Sequence, residues 1–356
     1  MNSKYQIAVL AGDYIGPEIM ASGLQVLKTV SENTDFDYEI SEVPFGGQAI
    51  DQTNDPLPDA TLETCQNSDA ILLAAIGGPK WDGVEKSPES GLLRIRQELG
   101  LFTNIRPTII NSTMKSFSPI KITEPIDFVI VRELTSGIYF GQPREKSQTQ
   151  AIDTMRYSSE EIRRVAKVAF DMAMQRNKHV TLVDKANVLA TSKLWREVVI
   201  DVAREYPEVK YDTSYVDSAA MKIISKPGQF DVILTENLFG DILSDEAAQI
   251  TGSLGTIPSM SKGEVSPALY EPIHGSAPDI AGKGIANPLS MIKSVAMMLQ
   301  YSFGRMDLAK QIMTAVDKSV DKKIVTPDLG GDYSTTKVTE FIVDSIKESR
   351  KEYVTK

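Results

Sequence analysis

The stretch YQIAVLAGDYIGPEIM, residues 5–20, sets the fold class. Tyr5–Leu10 is a short apolar and β-branched run of strand length. Gly12–Gly16 interrupts it, and Pro17 then opens a helical pattern. Proline suits a first helical turn because the N–H it lacks would be unpaired there anyway. Strand, glycine turn and helix in that order begin an α/β unit. The turn is not a G-x-G-x-x-G dinucleotide fingerprint, because Tyr14 stands where the second glycine must be. The reading is therefore α/β, and not a Rossmann fold.

Working outward, Asp69–Ile76 reads as a buried strand ended by Gly77-Gly78-Pro79. Phe128–Val131, Val180–Val183 and Phe230–Thr235 read as further strands, each leading into a polar segment. Ser158 with Glu161 forms a capping-box pattern ahead of Ile162, Val165, Ala166, Ala169 and Ala173, which keep helical spacing. Alternation of this kind repeats the α/β signal. Ile138–Tyr157 fits neither period and reads as a loop or as an arm pairing with another subunit. There is no internal repeat or low-complexity linker, so the sequence alone marks no sharp domain boundary.

The chain has 356 residues, 42% of them hydrophobic and 24% charged, as in an ordinary globular protein with one large or two ordinary domains. A formal charge of −10 argues against broad binding to nucleic acid or an anionic membrane. No run reaches the roughly 18 apolar residues of a membrane span; Ser290–Phe303, broken by Lys293, reads as a buried helix. Met1–Gln6 is polar with no apolar segment after it, which argues against a secretory signal. Cys65 is the only cysteine, so there is no disulfide framework or cysteine zinc site, and it reads as a small core residue. A cytoplasmic location is the expectation.

In Glu89-Ser90-Gly91-Leu92-Leu93-Arg94-Ile95-Arg96, a helix places Glu89, Leu92, Leu93 and Arg96 on one face. That face offers an alkyl-binding surface beside a guanidinium, while Arg94 points away and reads as solvated. Alone, the pattern is equally that of core leucines with an arginine reaching solvent. Arg106, in Asn104-Ile105-Arg106-Pro107, and Arg132, closing a strand, add two guanidiniums near element ends. Three such groups could clamp a dicarboxylate by bidentate pairing.

After the strand at Phe230–Thr235 comes Glu236-Asn237-Leu238-Phe239-Gly240-Asp241-Ile242-Leu243-Ser244-Asp245. Asp241 and Asp245 share a helical face and repel each other by a few tenths of a kcal/mol. A Mg²⁺ or Mn²⁺ ion would turn that repulsion into coordination; an acidic first turn complementing the helix dipole is the plainer reading. Asp217 follows another apolar stretch and could complete such a site. Of the two histidines, His179 begins a strand and reads as structural, and no G-x-S-x-G elbow is present for a hydrolase. His274–Pro288 (HGSAPDIAGKGIANP) reads as an ordered surface loop in which Asp279 could accept both ribose hydroxyls of NAD and repel the 2′-phosphate of NADP.

Three blocks then stop being independent: Val180–Trp195 (VTLVDKANVLATSKLW), Thr235–Leu254 (TENLFGDILSDEAAQITGSL) and Tyr270–Pro288 (YEPIHGSAPDIAGKGIANP). With them, the chain resembles the metal-dependent β-decarboxylating dehydrogenases of 2-hydroxy acids, the isocitrate and isopropylmalate family, from about Ile7 to Thr336. The resemblance implies a two-domain α/β fold with a mixed sheet. Residues 1–101 and 255–356 would form the cofactor domain, and residues 102–254 a second domain carrying a dimer interface and the metal aspartates.

It also implies roles. Arg96, Arg106 and Arg132 match the arginines that bind malate carboxylates, and Tyr139 and Lys185 match the catalytic pair. Asp217, Asp241 and Asp245 match the metal ligands, with Lys185 and Asp217 entering from the second subunit of a homodimer. Ile15, Glu89, Glu271, His274, Gly275, Ser276, Ala277, Pro278, Asp279, Ile280 and Asn287 match the NAD-binding positions. Leu92, Leu93 and Val188 would contact the alkyl group, with Asp217 also at the substrate. Burying a branched alkyl group there contributes roughly 2 kcal/mol, whereas a third, unpaired carboxylate against leucines is far costlier. The implied substrate is therefore 3-isopropylmalate rather than isocitrate. A longer alkylmalate, tartrate or homoisocitrate is the alternative, and a non-catalytic regulatory paralogue is another. The family usually has glycine where Tyr14 stands and proline where Ala11 stands, which puts the cofactor turn in question.

Overall fold

The computed structural model describes residues 4–354 apart from 85 and 266. The polar start read at Met1–Gln6 lies partly outside the described residues. In chain order the strands are β1 (Tyr5–Gly12), β2 (Tyr38–Glu42), β3 (Ala70–Ala75), β4 (Thr103–Ile110), β5 (Ile126–Glu133) and β6 (Glu145–Lys146). They continue as β7 (Ala151–Ile152), β8 (His179–Asp184), β9 (Lys210–Tyr215), β10 (Val232–Thr235), β11 (Pro258–Lys262) and β12 (Ala268–Pro272). The helices begin with α1 (Gly16–Ser31), α2 (Gly47–Thr53), α3 (Asp59–Gln66), α4 (Pro88–Glu98), α5 (Ser159–Met174) and α6 (Ala190–Ala203). After these come α7 (Val216–Ser225), α8 (Asn237–Gln249), α9 (Leu289–Tyr301), α10 (Met306–Asp321) and α11 (Thr335–Val354). Contacts divide the chain into two compact units, Met1–Leu99 with Gly252–Lys356 and Gly100–Thr251.

In the first unit the strands lie in the order β2, β1, β3, β12, β11. β1 is parallel to β2 and β3, β3 is parallel to β12, and β11 runs antiparallel to β12. Every residue of β3 is buried, because a central parallel strand is covered on both faces and needs no polar alternation. α1, α9, α10 and α11 pack on one another. The run read as a buried helix is α9, whose apolar side chains from Leu289 to Leu299 are inside. Among the described residues no helix is long and apolar enough to cross a membrane. Cys65 is buried, and burial pushes its thiol up to about 12.

In the second unit the order is β4, β5, β10, β8, β9, with β4 antiparallel to β5 and the other neighbours parallel. The register sets Arg132 of β5 beside Thr235 of β10, and Thr235 beside Val183 of β8. The carboxyl ends of three strands therefore stand in a row, where open α/β sheets place their ligands. The capping box at Ser158 and Glu161 is formed in full. β4 and β9 were not legible as strands: β4 contains Pro107, which argues against a ladder position, and β9 (KYDTSY) is a largely polar outermost strand. Within Ile138–Tyr157, β6 and β7 form a short antiparallel hairpin, and residues 142–153 are exposed.

Candidate active site

In the second unit the carboxyl end of β5 meets the first turns of α8. Arg132 is 2% exposed. Its Nε and Nη2 donate to Asn237 Oδ1 at 3.1 and 2.7 Å, and its Nη1 to Asp241 Oδ1 at 2.5 Å. Arg106 on β4 donates from Nε to Asn104 Oδ1 at 2.7 Å and from Nη1 to Ser244 Oγ at 2.6 Å. Its Nη1 also reaches Asp245 at 3.4 Å and Asp241 at 3.6 Å. Tyr139 donates its hydroxyl to Asp241 Oδ2 at 2.9 Å. Burial first, and the Asp241 charge next, push that phenol up to about 12. Two guanidiniums, a phenol and two carboxylates thus share one strand-end corner.

The two carboxylates are not a dipole cap. Glu236 caps α8, accepting from Leu238 N–H at 3.2 Å and Phe239 N–H at 2.8 Å. Asp241 and Asp245 lie beyond the first turn, where the dipole no longer favours an anion. Asp245 is held above the ordinary carboxylate range by burial, with Arg106 pulling it down and Asp241 pushing it up.

Lys185 and Asp217 stand together elsewhere in the unit. Lys185, just past β8, donates to Asp217 Oδ1 at 2.8 Å. That bond holds the Asp217 carboxyl below its usual range. Among the described residues no three His, Cys, Asp or Glu side chains gather around one metal position. A single chain therefore sets Asp241 against Asp245 but does not gather Asp217 with both around one position. Val188 is 65% exposed.

In the first unit, Asp13 organises the β1–α1 turn. Its carboxylate accepts N–H bonds from Gly47 at 2.9 Å, Gln48 at 2.8 Å and Gly77 at 2.9 Å. Ile15 N–H donates to Ser276 O at 3.1 Å, and Ser276 Oγ to Gly77 O at 2.7 Å. These bonds tie the turn, the end of β3 and the 274–288 loop into one cluster. Arg96 on α4 pairs with Glu271 at 3.0 Å, both nearly buried, and its Nε has no partner. Leu92 and Leu93 are half-buried and Glu89 is exposed. Arg94 is only partly solvated: its side chain stays 37% exposed, while it donates to Leu57 O and pairs with Asp59 and Asp55, because the chain leading into α3 covers part of that side of α4.

In the 274–288 loop, His274 is held below its ordinary range, chiefly by burial, so its ring is neutral near pH 7. Gly275, Pro278 and Asp279 are exposed, and Ala277 and Ile280 half-buried. Asn287 donates to Asp328 Oδ2 at 2.8 Å and accepts from Leu289 N–H at 3.0 Å. Asn104, Ser244, Asn237 and Asp328 escaped the sequence reading as site residues. Asn237 and Ser244 gave a signal there, since both share a helical face with Asp241 in the stretch from Glu236 to Asp245.

Residues 6–345 match the family described as isocitrate/isopropylmalate dehydrogenase. The chain belongs to this family. A 3-isopropylmalate dehydrogenase of Listeria monocytogenes is 54% identical over 345 residues, 96% of this chain and 99% of that protein. One from Lactococcus lactis is 56% identical over 339 residues, 95% and 98% of the two chains. Among solved structures, isocitrate dehydrogenase from Methylococcus capsulatus superposes with a TM-score of 0.87 at 34% identity, over 96% of this chain and 99% of that one. A β-decarboxylating dehydrogenase from Thermococcus kodakarensis in its apo form gives 0.81 at 37% identity, covering 97% and 96%. The α/β, non-Rossmann reading of the sequence stands with this family.

Proposed function

We propose that this family member is an NAD-dependent 3-isopropylmalate dehydrogenase of leucine biosynthesis, forming 4-methyl-2-oxopentanoate and CO₂. The observation that carries the reading is the 54% identity to a protein of that name along nearly the whole of both chains. Half-buried Leu92 and Leu93 on the Arg96-bearing helix support it, since an alkyl group gains there and a third carboxylate does not.

Asp241 and Asp245 fit a divalent cation: they are an all-oxygen pair on one helical face, each raising the cost of the other's charge. They would hold Mg²⁺ or Mn²⁺ together with Asp217 of a second copy. A metal bound there lowers the cost of negative charge on the substrate's C2 oxygen. NAD, held by Ile15, Glu89, Glu271, the 274–280 segment and Asn287, supplies the hydride acceptor.

The chain's own groups do the rest. Arg96, Arg106 and Arg132 bind and orient the malate carboxylates. Lys185 of the second copy takes the hydroxyl proton, through water, as C2 gives up hydride. The resulting 3-carboxy-2-oxo acid loses CO₂, and Tyr139 delivers a proton to the enol carbon. Exposed Met221, Ile224 and Ile242 on α7 and α8 support a homodimer, and a cytoplasmic location accords with biosynthesis.

The test is NADH production with 3-isopropylmalate, isocitrate, malate, tartrate and homoisocitrate, with Mn²⁺ and with chelator. The highest kcat/KM is expected for 3-isopropylmalate, and activity is lost with chelator. A tenfold preference for another acid overturns the assignment.

A further inference from the structure

We infer that Asn237 is a positioning residue, whose side-chain oxygen aims the Arg132 guanidinium at a substrate carboxylate. The inference rests on the reading of Arg132 as a carboxylate-binding group. A guanidinium only 2% exposed must have its N–H groups engaged, or burial becomes prohibitive. Asn237 Oδ1 takes two of them, from Nε and Nη2, and so fixes both the stem and the plane of the group. It does so without charge. A carboxylate at that place would neutralise the cation it is meant to present.

The amide has no freedom to turn over. Its Nδ2 donates to Ser136 O at 3.0 Å, so Oδ1 must face Arg132. Asn237 is itself fully buried and anchored through its backbone N–H to Tyr157 OH at 3.0 Å. The Tyr157 hydroxyl in turn donates to Glu236 Oε2 at 2.8 Å. One turn on, Gly240 leaves the groove in which the Arg132 stem lies: a Cβ there would meet Arg132 Cγ at 2.6 Å and Cβ at 2.8 Å. Asn237, Gly240 and Asp241 on one face of α8 thus form a seat for Arg132.

Asn237→Ser keeps a residue suited to a helix start but cannot reach the guanidinium, and Asn237→Asp keeps an acceptor of the same shape. Crystal structures of the two are expected to show the guanidinium displaced in the serine variant and retained in the aspartate variant. Kinetically, Asn237→Ser is expected to raise substrate KM about tenfold or more while NAD KM and kcat change about threefold or less. In an Arg132→Lys background the same serine change is expected to add less than about twofold, because it has no guanidinium left to aim. An unmoved guanidinium in Asn237→Ser overturns the inference, whatever acid the enzyme oxidises. So does an equal effect of the serine change in both backgrounds. Wild-type inactivity toward 3-isopropylmalate strikes the assignment of function instead, and leaves the crystallographic comparison to decide this one.

Discussion

The ring of Tyr14 lies over the α-carbon of Gly78, so closely that a Cβ on Gly78 would fall 2.3 Å from Tyr14 Cε2. Tyr14 has φ +50°, a left-handed conformation that costs a tyrosine on the order of 1 kcal/mol. Asp13, through its three N–H bonds, over-determines the turn and holds Tyr14 in that state. The ring also stands edge-on to Trp81 at 5.8 Å between centroids. Glycine at this position meets the φ requirement without strain and leaves the space over Gly78 open. Tyr14→Gly is therefore expected to tighten NAD binding, by about threefold or more, measured calorimetrically. An unchanged or weaker affinity disposes of the idea.

Gly240 reverses the usual helix rule. Alanine at an exposed helix interior gains about 1 kcal/mol over glycine. Here its Cβ would press on the Arg132 stem, and both are inside the fold. Gly240→Ala is expected to destabilise the protein by about 1–3 kcal/mol and to raise substrate KM. Chemical denaturation and steady-state kinetics read the two effects. A variant more stable than wild type with an unaltered KM contradicts the seat described for Arg132.

How much was legible in the sequence follows from the physics of each element. β1, β3, β5, β8 and β10 declared themselves because central parallel strands are runs of apolar residues. β9 hid because an outermost strand can be polar, as Tyr211, Asp212 and Thr213 are. The Asp241–Asp245 pair was legible from helical spacing alone, and so was the face shared by Leu92 and Arg96. The bonds of Arg106 to Ser244 and of Arg132 to Asn237 were not, since they join residues more than a hundred positions apart. Sequence periodicity carries local geometry; which side chain satisfies a buried guanidinium is decided by the sheet order.

Glu133 gives a pH dependence with a definite sign. It is fully buried behind Arg132, accepting from Thr135 and Ser136 N–H at 3.0 Å each, with Arg164 at 3.6 Å. Burial outweighs those contacts and raises its carboxyl to about 7. A folded-state value above the unfolded one means the folded chain holds the proton more tightly. The contribution is full below about 4.5 and is lost as pH rises through about 7. Glu133→Gln removes this titration but leaves a penalty of its own, because its amide faces two N–H donors. The stability of wild type relative to Glu133→Gln is expected to fall on going from pH 5 to pH 8, by on the order of 3 kcal/mol. Urea unfolding of both proteins at the two values checks it; a pH-independent difference refutes the burial argument.

Asp245 separates electrostatics from folding. Its carboxylate faces Asp241 on the same face of α8 and is opposed by Arg106, which keeps Asn104 and Ser244 whatever happens to Asp245. Asp245→Asn removes one of two repelling charges and one long ion pair, so without added metal its stability is expected to stay within about 1 kcal/mol of wild type. With Mn²⁺ the two should part. Wild type gains stability by mass action as the ion binds the folded state, and the asparagine variant loses most of that gain because a neutral amide is a poor ligand for a hard cation. Melting temperatures of both proteins, with chelator and over a Mn²⁺ series, read the difference directly. A wild-type melting temperature that does not respond to Mn²⁺, or an asparagine variant that responds equally, removes Asp245 from the metal site.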